Sequence, residues 1–498
     1  MQSKKYALGL ALLACFSLSL QGCGSSDGEA DGPPALQWSA RAGQDGESAT
    51  IQVPLNPLAD EGAQVTLALR RYTASGTKQG SIVLNPGGPG ASAVDFLDAF
   101  VASSLGQRLR ARFDLVAFDP RGVGHSTQVR CADDPLPYLT IDKNPHTAFE
   151  YRSMVATMQD YAARCAARNG DLLAHVSTLD VVRDMERIRQ ALGEGPLNYI
   201  GLSYGSKMGA LYADTYPQNV RAMVLDGVLP PSLTLQELTL GQIEAFEKSL
   251  NAFLSACAQD RDCSFGHGQP EQALTALLAQ LKQQPLPAGN NEVLTHSAAR
   301  YGLMLGMYGE LFWPWLQEAL AAAQAGDGRA LLDMAQTYVG RTPDGTYSNM
   351  VDASNAIHCS DLRAPGAPEI QAAVAGVSAK YPFFGAILMN DMLYCTYWPV
   401  APTQPPRTVR AVGAPPIMVV GNTGDPATPY AWAQRLVAEL DAAFLVTFRS
   451  GMHTAAGAST CVDARYEHYL LSPRAGFADL TCEMDAIGHV AMQSSTGP

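Results

Sequence analysis

A chain of 498 residues, 47% of them apolar, can bury a large core and is too long for one minimal domain. Its formal net charge of -13 argues against a nucleic-acid partner, because phosphate binding needs a basic patch. No internal repeat, CxxC pair or HExxH segment occurs, so no metal and no cofactor is expected.

The first element is a targeting segment. Lys4 and Lys5 precede an apolar stretch over residues 6–20, too short and too terminal to span a membrane. Residues 1–22 therefore read as an export signal. The stretch ends in LQGC, which resembles a bacterial lipobox, with small Gly22 before Cys23, the residue to be acylated. An ordinary cleaved signal with an incidental cysteine is the alternative. Residues 23–40 open with GSSDGEADGPP after the cysteine and read as a flexible tether. More than one acyl chain would hold the protein at a membrane surface. The expected location is the bacterial cell envelope, facing the periplasm or the outer surface. Gly24 after the cysteine, by resemblance to enterobacterial sorting, points to an outer membrane where the host has one.

Short strand-like runs follow at 49–54 and 65–72. SIVLNPGGPGAS is a buried apolar strand that breaks into a Gly/Pro loop, and FDLVAFDPRGVGHS repeats that design. A helix is expected from Thr178, which can cap it, with Val182, Met185, Ile188 and Leu192 at helical spacing before Gly193. LNYIG is a strand, SKMGALYADTY a helix and AMVLDGVL another strand. This alternation means a mostly parallel, doubly wound α/β sheet. From 233 to 405 the periodicity turns helical, and TQPPRTV marks the return to strand grammar at PPIMVVGNTGDPATP and AFLVTFRSGMHTA. The expected organisation is a core over 41–232, a helical cap over 233–405 and the rest of the core over 406–498.

Eight cysteines remain after Cys15 and Cys23, an even number in an exported chain, which reads as disulfides. Sequential pairing closes modest loops: Cys131–Cys165, Cys257–Cys263, Cys359–Cys395 and Cys461–Cys482. Sequence alone does not fix that connectivity.

GLSYG matches G-x-S-x-G around Ser203. A strand that turns at once into a helix strains the serine, and side chains at Gly201 and Gly205 would collide. The helix start behind it offers free N–H groups to a developing oxyanion. A serine nucleophile needs a base, and the base an orienting acid, each in a loop after a later strand. Asp425 in GNTGDPATP and His453 in SGMHTAAG have that order and context. Asp226 in LDGVL is the alternative acid. His468 and His489 lie in no post-strand loop, and His125 precedes the serine. The N–H groups of Tyr204 and of Gly88, in NPGGPG, are the expected oxyanion donors. A tight turn without catalytic part is the alternative for that loop. DPRGVGHS reads as scaffold, with Asp119 and Arg121 paired beside the nucleophile.

NPGGPGAS, DPRGVGHS, GLSYGSKMG, GDPATP and a late GMHT followed by two cysteines together resemble the tripeptidyl/prolyl aminopeptidase family of secreted α/β-hydrolase serine peptidases. The resemblance implies an α/β-hydrolase fold with a helical cap between its two sheet halves. It implies cleavage near a peptide N-terminus without metal. It also implies Ser203 as nucleophile, His453 as base, Asp425 as its orienter, and Gly88 and Tyr204 as the oxyanion hole. Pro86 stands where the prolyl branch has a histidine, which favours the tripeptidyl-like branch. An aminopeptidase also recognises a cationic amine, and Asp361 and Glu310 are the candidate acids. Peptide substrates and a monomer are expected. An ester hydrolase using the same residues is the rival reading.

Overall fold

The computed structural model describes residues 34–59, 62–402 and 405–485. The expected export signal, Cys23 and His489 lie outside the described residues. Twelve strands are found among the described residues: β1 (Ser39–Ala40), β2 (Glu47–Pro54), β3 (Gln64–Tyr72), β4 (Ser81–Asn85), β5 (Asp114–Phe118), β6 (Leu197–Leu202), β7 (Val220–Asp226), β8 (Leu286–Pro287), β9 (Val293–Leu294), β10 (Ile417–Asn422), β11 (Ala443–Arg449) and β12 (Leu480–Glu483). Ten form one sheet in the order β1-β2-β3-β5-β4-β6-β7-β10-β11-β12, and β8 pairs with β9 apart from it. From β5 to β12 every neighbour is parallel, while β1, β2 and β3 form an antiparallel edge.

The central strands are apolar runs because both faces are covered. All residues of β4, β5, β6 and β10 are buried. Period-two alternation splits their side chains between two cores. Val83, Val116, Tyr199, Met223 and Val419 pack with helices Ala148–Asn169, Thr178–Ala191, Tyr204–Thr215 and Tyr430–Glu439. Ile82, Leu84, Leu115, Ile200, Val224 and Val420 pack with helices Ala93–Ala102 and Thr460–Leu471. The chain runs from β4 to β5 on one side and returns to β6 on the other. The loops after β4 and β6 therefore diverge, and such a switch point opens a crevice at the carboxyl ends of the strands.

Between β7 and β10 the chain is mostly helical, but the block has two parts. Phe246, Phe253, Leu277, Leu303, Leu320 and Leu331 build a core of their own. Ala353, Ile357, Ile370, Met389 and Leu393 instead join the core on one face of the sheet. All four cysteine pairs are bonded in sequential order: Cys131–Cys165, Cys257–Cys263, Cys359–Cys395 and Cys461–Cys482.

Two local readings need correction. Ser177, not Thr178, caps the helix Thr178–Ala191, its side chain accepting from Asp180 N–H, while the Thr178 hydroxyl is drawn to Tyr204 and Asp361. The long helix Ala148–Asn169 went unread in the sequence. Its buried stripe is Met154, Met158, Tyr161, Ala162 and Cys165, and a Thr147–Glu150 capping box opens it. That stripe and that box were the signals that could have found it.

Candidate active site

The turn at Ser203 follows directly from its glycines. Ser203 stands between β6 and helix Tyr204–Thr215 with φ 54° and ψ -124°. A non-glycine residue held there stores on the order of 1–3 kcal/mol of backbone strain. A Cβ on Gly201 would come within 2.3 Å of the Gly205 carbonyl oxygen, and one on Gly205 within 2.7 Å of the Asn85 carbonyl oxygen. The turn is anchored on the neighbouring strand, where Ser203 N–H donates to the Asp226 carbonyl at 2.8 Å.

The NPGGPG loop after β4 lies against this turn. A Cβ on Gly87 would fall 2.8 Å from Ser203 Cβ and 2.8 Å from Tyr204 N, so only glycine fits. Gly87 N–H is taken by the Asn85 side chain at 2.9 Å. The N–H groups of Gly88 and Tyr204 have no hydrogen-bond partner among the described residues.

Asp425 and His453 come from the loops after β10 and β11. His453 Nδ1 lies 2.9 Å from Asp425 Oδ1 and 3.0 Å from Oδ2. The carboxylate also accepts from the N–H groups of Ala427 at 2.9 Å and Thr428 at 2.8 Å, and from the Thr428 hydroxyl at 2.9 Å. Burial disfavours a charged imidazole, but the Asp425 carboxylate and its hydrogen bond outweigh it, with Asp226 adding, and the His453 pKa is raised. The ring packs edge-on against Tyr308 at 5.1 Å, and His453 N–H donates to the Tyr308 carbonyl at 2.8 Å. Asn422 ties the loop by donating to the carbonyls of Met452 at 2.7 Å and Thr454 at 2.8 Å. A Cβ on Gly227 would sit 3.3 Å from His453 Cε1. The residue before it, Asp226, holds the Ser203 turn. Serine and imidazole thus abut the same two-residue segment.

Asp226 does not touch the imidazole nitrogens. Its carboxyl accepts from the N–H groups of Ala455 and Ala456, each at 2.9 Å, and from Tyr466 Oη at 2.6 Å. Burial pushes its pKa up to about 6 against those donors. His125 lies on the surface against Asp95 at 2.9 Å, and His468 packs on Phe477.

Three expectations fare differently. Asp119 and Arg121 do not pair. Arg121 makes a buried fork to Asp184 at 2.6 and 2.7 Å, while Asp119 accepts from Val94 N–H at 3.0 Å and His125 N–H at 2.7 Å. Asp361 is paired inside the protein, with Lys207 Nζ at 2.7 Å and Thr178 N–H at 2.7 Å, so its charge is already met by a cation of the protein. That chain runs on through the Thr178 hydroxyl to Tyr204 Oη at 2.6 Å, so Asp361 braces the residue after Ser203. Glu310 is exposed, and a Cβ on Gly451 would lie 3.3 Å from its Oε1, which places its carboxylate beside the His453 loop. Sequence reading missed Thr428, Asn422, Asn85 and Tyr308. Thr428, three residues after Asp425, carried a signal, since Asp-x-x-Thr is the spacing of a local side-chain turn.

No helix among the described residues is long and apolar enough to cross a membrane. Among the described residues no group of His, Cys, Asp and Glu is placed to hold a metal.

A strained serine at a strand-to-helix turn, an imidazole on a carboxylate and a parallel sheet that brings them to one edge define a class of hydrolase. The model of the alpha/beta hydrolase fold matches residues 80–456, and the chain belongs to that family. Among curated relatives, it is similar to the serine protease Hip1 of Mycobacterium tuberculosis, 32% identical over 443 residues and 84% of each chain. It is similar to the tripeptidyl aminopeptidase of Streptomyces lividans, at 31% identity over 87% of this chain and 82% of that one. It is also similar to carboxylesterase B of Mycobacterium tuberculosis, at 35% identity over 87% of this chain and 86% of that one.

Proposed function

We propose that this protein is an exported, membrane-anchored serine peptidase that cleaves peptides near their N-terminus through an acyl-enzyme on Ser203. The pairing of His453 Nδ1 with Asp425, at the sheet edge that carries the strained Ser203, is the observation that carries the reading. In this mechanism His453 Nε2 takes the Ser203 proton as Oγ attacks the scissile carbonyl. Asp425 fixes the imidazole tautomer and stabilises its charge. The N–H groups of Gly88 and Tyr204 receive the oxyanion. His453 returns the proton to the leaving amine as the C–N bond breaks. Water, deprotonated by His453, then cleaves the acyl ester and frees the N-terminal fragment. The relatives named serine protease and tripeptidyl aminopeptidase support a peptide substrate. Glu310, at the rim of the His453 loop, is the acid for the substrate amine. The helical block between β7 and β10 serves as the cap. Lys4, Lys5, the apolar run and LQGC support export and acylation of Cys23.

The second reading, an ester hydrolase with the same machinery, is favoured by the carboxylesterase relative. Purified wild type and Ser203→Ala are compared on tripeptide amides, proline amides and short p-nitrophenyl esters. Wild type turns over tripeptide amides, and the variant loses about 10⁴-fold or more. Ester turnover without amide turnover selects the second reading, and activity retained in the variant rejects Ser203. Cys23→Ala releases the protein from membranes; retention there rejects the anchor.

A further inference from the structure

At the amino ends of β6 and β7, opposite the Ser203 edge, lies a cleft of about 640 Å³. Its walls are rigid, with Pro196, Pro217, Pro415 and Pro473 among them. Two guanidiniums, those of Arg221 and Arg474, line it. Arg221 is half-buried and held by neutral acceptors, Asn198 Oδ1 at 2.7 Å and the carbonyls of Leu470 at 2.8 Å and Leu471 at 3.4 Å. Burial and the neighbouring Arg474 both disfavour its charge, while Arg474 is exposed. Among the described residues neither arginine forms an ion pair. The nearby carboxylate of Glu194 is taken by Lys78 at 2.7 Å and by Ser81. Two guanidiniums without an ion pair on one cleft, in a chain of net charge -13, suit an anion.

Two further observations say which anion. Val412, next to Gly413 in the cleft wall, is 57% exposed, one of the few large apolar side chains left in solvent. An arginine pair beside an exposed aliphatic side chain suits a molecule with a charged head and an apolar body. The chain also arrives at this edge. Leu36 N–H donates to the Ala191 carbonyl at 3.3 Å, five positions before Pro196. Cys23 precedes Leu36 by thirteen positions, a reach of at most about 45 Å. We infer that the Arg221–Arg474 cleft binds the headgroup phosphate of an anionic lipid, which turns this edge to the membrane and the Ser203 edge away from it. The orientation rests on the anchoring proposed above; the anion site does not.

The full-length protein, wild type and Arg474→Gln, is titrated with monomeric dihexanoyl phosphatidylglycerol, with dihexanoyl phosphatidylcholine and with inorganic phosphate, and thermal unfolding is followed. The anionic lipid raises the wild-type Tm, less so at higher salt, and the apparent Kd weakens roughly tenfold in the variant. The zwitterionic lipid and phosphate give smaller shifts. Equal shifts with both lipids, or equal shifts in variant and wild type, overturn the site. Phosphate binding as tightly as the anionic lipid overturns the lipid assignment. Arg474 is exposed and outside the Ser203 machinery, so its loss leaves the fold and any ester turnover unchanged. Unfolding reports binding even if the protein hydrolyses none of the substrates above.

Discussion

The end of β7 and the turn after β10 lie side by side at the sheet edge, and each presents a buried carboxylate to the loop that carries His453. Asp226 and Asp425 are alike in burial, at 0% and 3% exposure. They differ in what they hold. Asp425 meets the ring nitrogen, at 2.9 Å, and is itself held by the two N–H groups and hydroxyl of its own turn. Asp226 meets the backbone beyond the ring, at Ala455 and Ala456, and its own carbonyl holds the Ser203 turn. The lesson is that nearness of an acid to a histidine does not assign it a role. One carboxylate is hydrogen-bonded to the imidazole itself; the other is hydrogen-bonded to the backbone of the loop beyond it.

The sharpest break of this comparison comes from Asp425→Asn. The amide cannot stabilise the imidazolium and permits the wrong tautomer, so kcat falls by about 10⁴-fold. The acid limb of the pH profile also moves. Asp425 is the main group that raises the His453 pKa against burial, so its loss leaves only Asp226 to oppose burial and shifts the limb to lower pH. A variant with unchanged limb and near-normal kcat would assign the orienting role elsewhere, with Asp226 the next candidate.

Asp226→Asn probes the other turn, and its effect is smaller. The amide oxygen still accepts from the loop, but one acceptor is lost and the loop shifts. A small misplacement of the imidazole costs about 10- to 100-fold in kcat, with KM little changed. Stability carries the distinguishing signature. The folded pKa of about 6 lies above the ordinary value of 3.8, so folding favours the protonated carboxyl. That contribution is fully present below pH 4 and is lost as pH rises through about 6, on the order of 3 kcal/mol. Asparagine does not titrate, so urea unfolding shows the variant gaining on wild type between pH 4 and pH 7. A constant difference over that range would mean that Asp226 ionises without cost.

The two turns also show what was legible in the sequence. Ser203, Asp425 and His453 each sit just past an apolar strand, and local grammar marks such places: glycines where the turn needs them, and a loop after each run. Sequential pairing of the cysteines is expected because it closes modest loops, and the structure has those four bonds. Side-chain partners were not legible. Arg121 finds Asp184 on the helix Thr178–Ala191 rather than Asp119 two residues away, because Asp119 is already drawn to the N–H groups of Val94 and His125. Asp361 reads in the sequence as a candidate acid for a substrate amine, yet Lys207, on the helix behind Ser203, pairs with it. Nothing in either local sequence encodes which distant element packs there. The helical block shows the same limit. Its periodicity is uniform, but Phe246, Leu303, Leu331 and Phe384 share a core of their own, while helix Met350–Asp361, Ile370, Met389 and Leu393 pack on the sheet.

Thr428→Val refines the comparison with the smallest change. Valine keeps the shape and the backbone donors to Asp425 Oδ1 but removes the hydroxyl that donates to Oδ2 at 2.9 Å and lies 3.3 Å from His453 Nδ1. One hydrogen bond is worth about 1 kcal/mol, so kcat falls about fivefold to tenfold, and Thr428→Ser restores it. The sign of the pH shift is the more telling result. A carboxylate relieved of one donor binds the imidazolium more strongly, which raises the His453 pKa further and moves the acid limb to higher pH. Asp425→Asn moves the same limb the other way. Opposite shifts from two substitutions in one turn arise only if the charge on Asp425 acts on the ring. Simple disorder of the turn would weaken the pairing in both and move both limbs down.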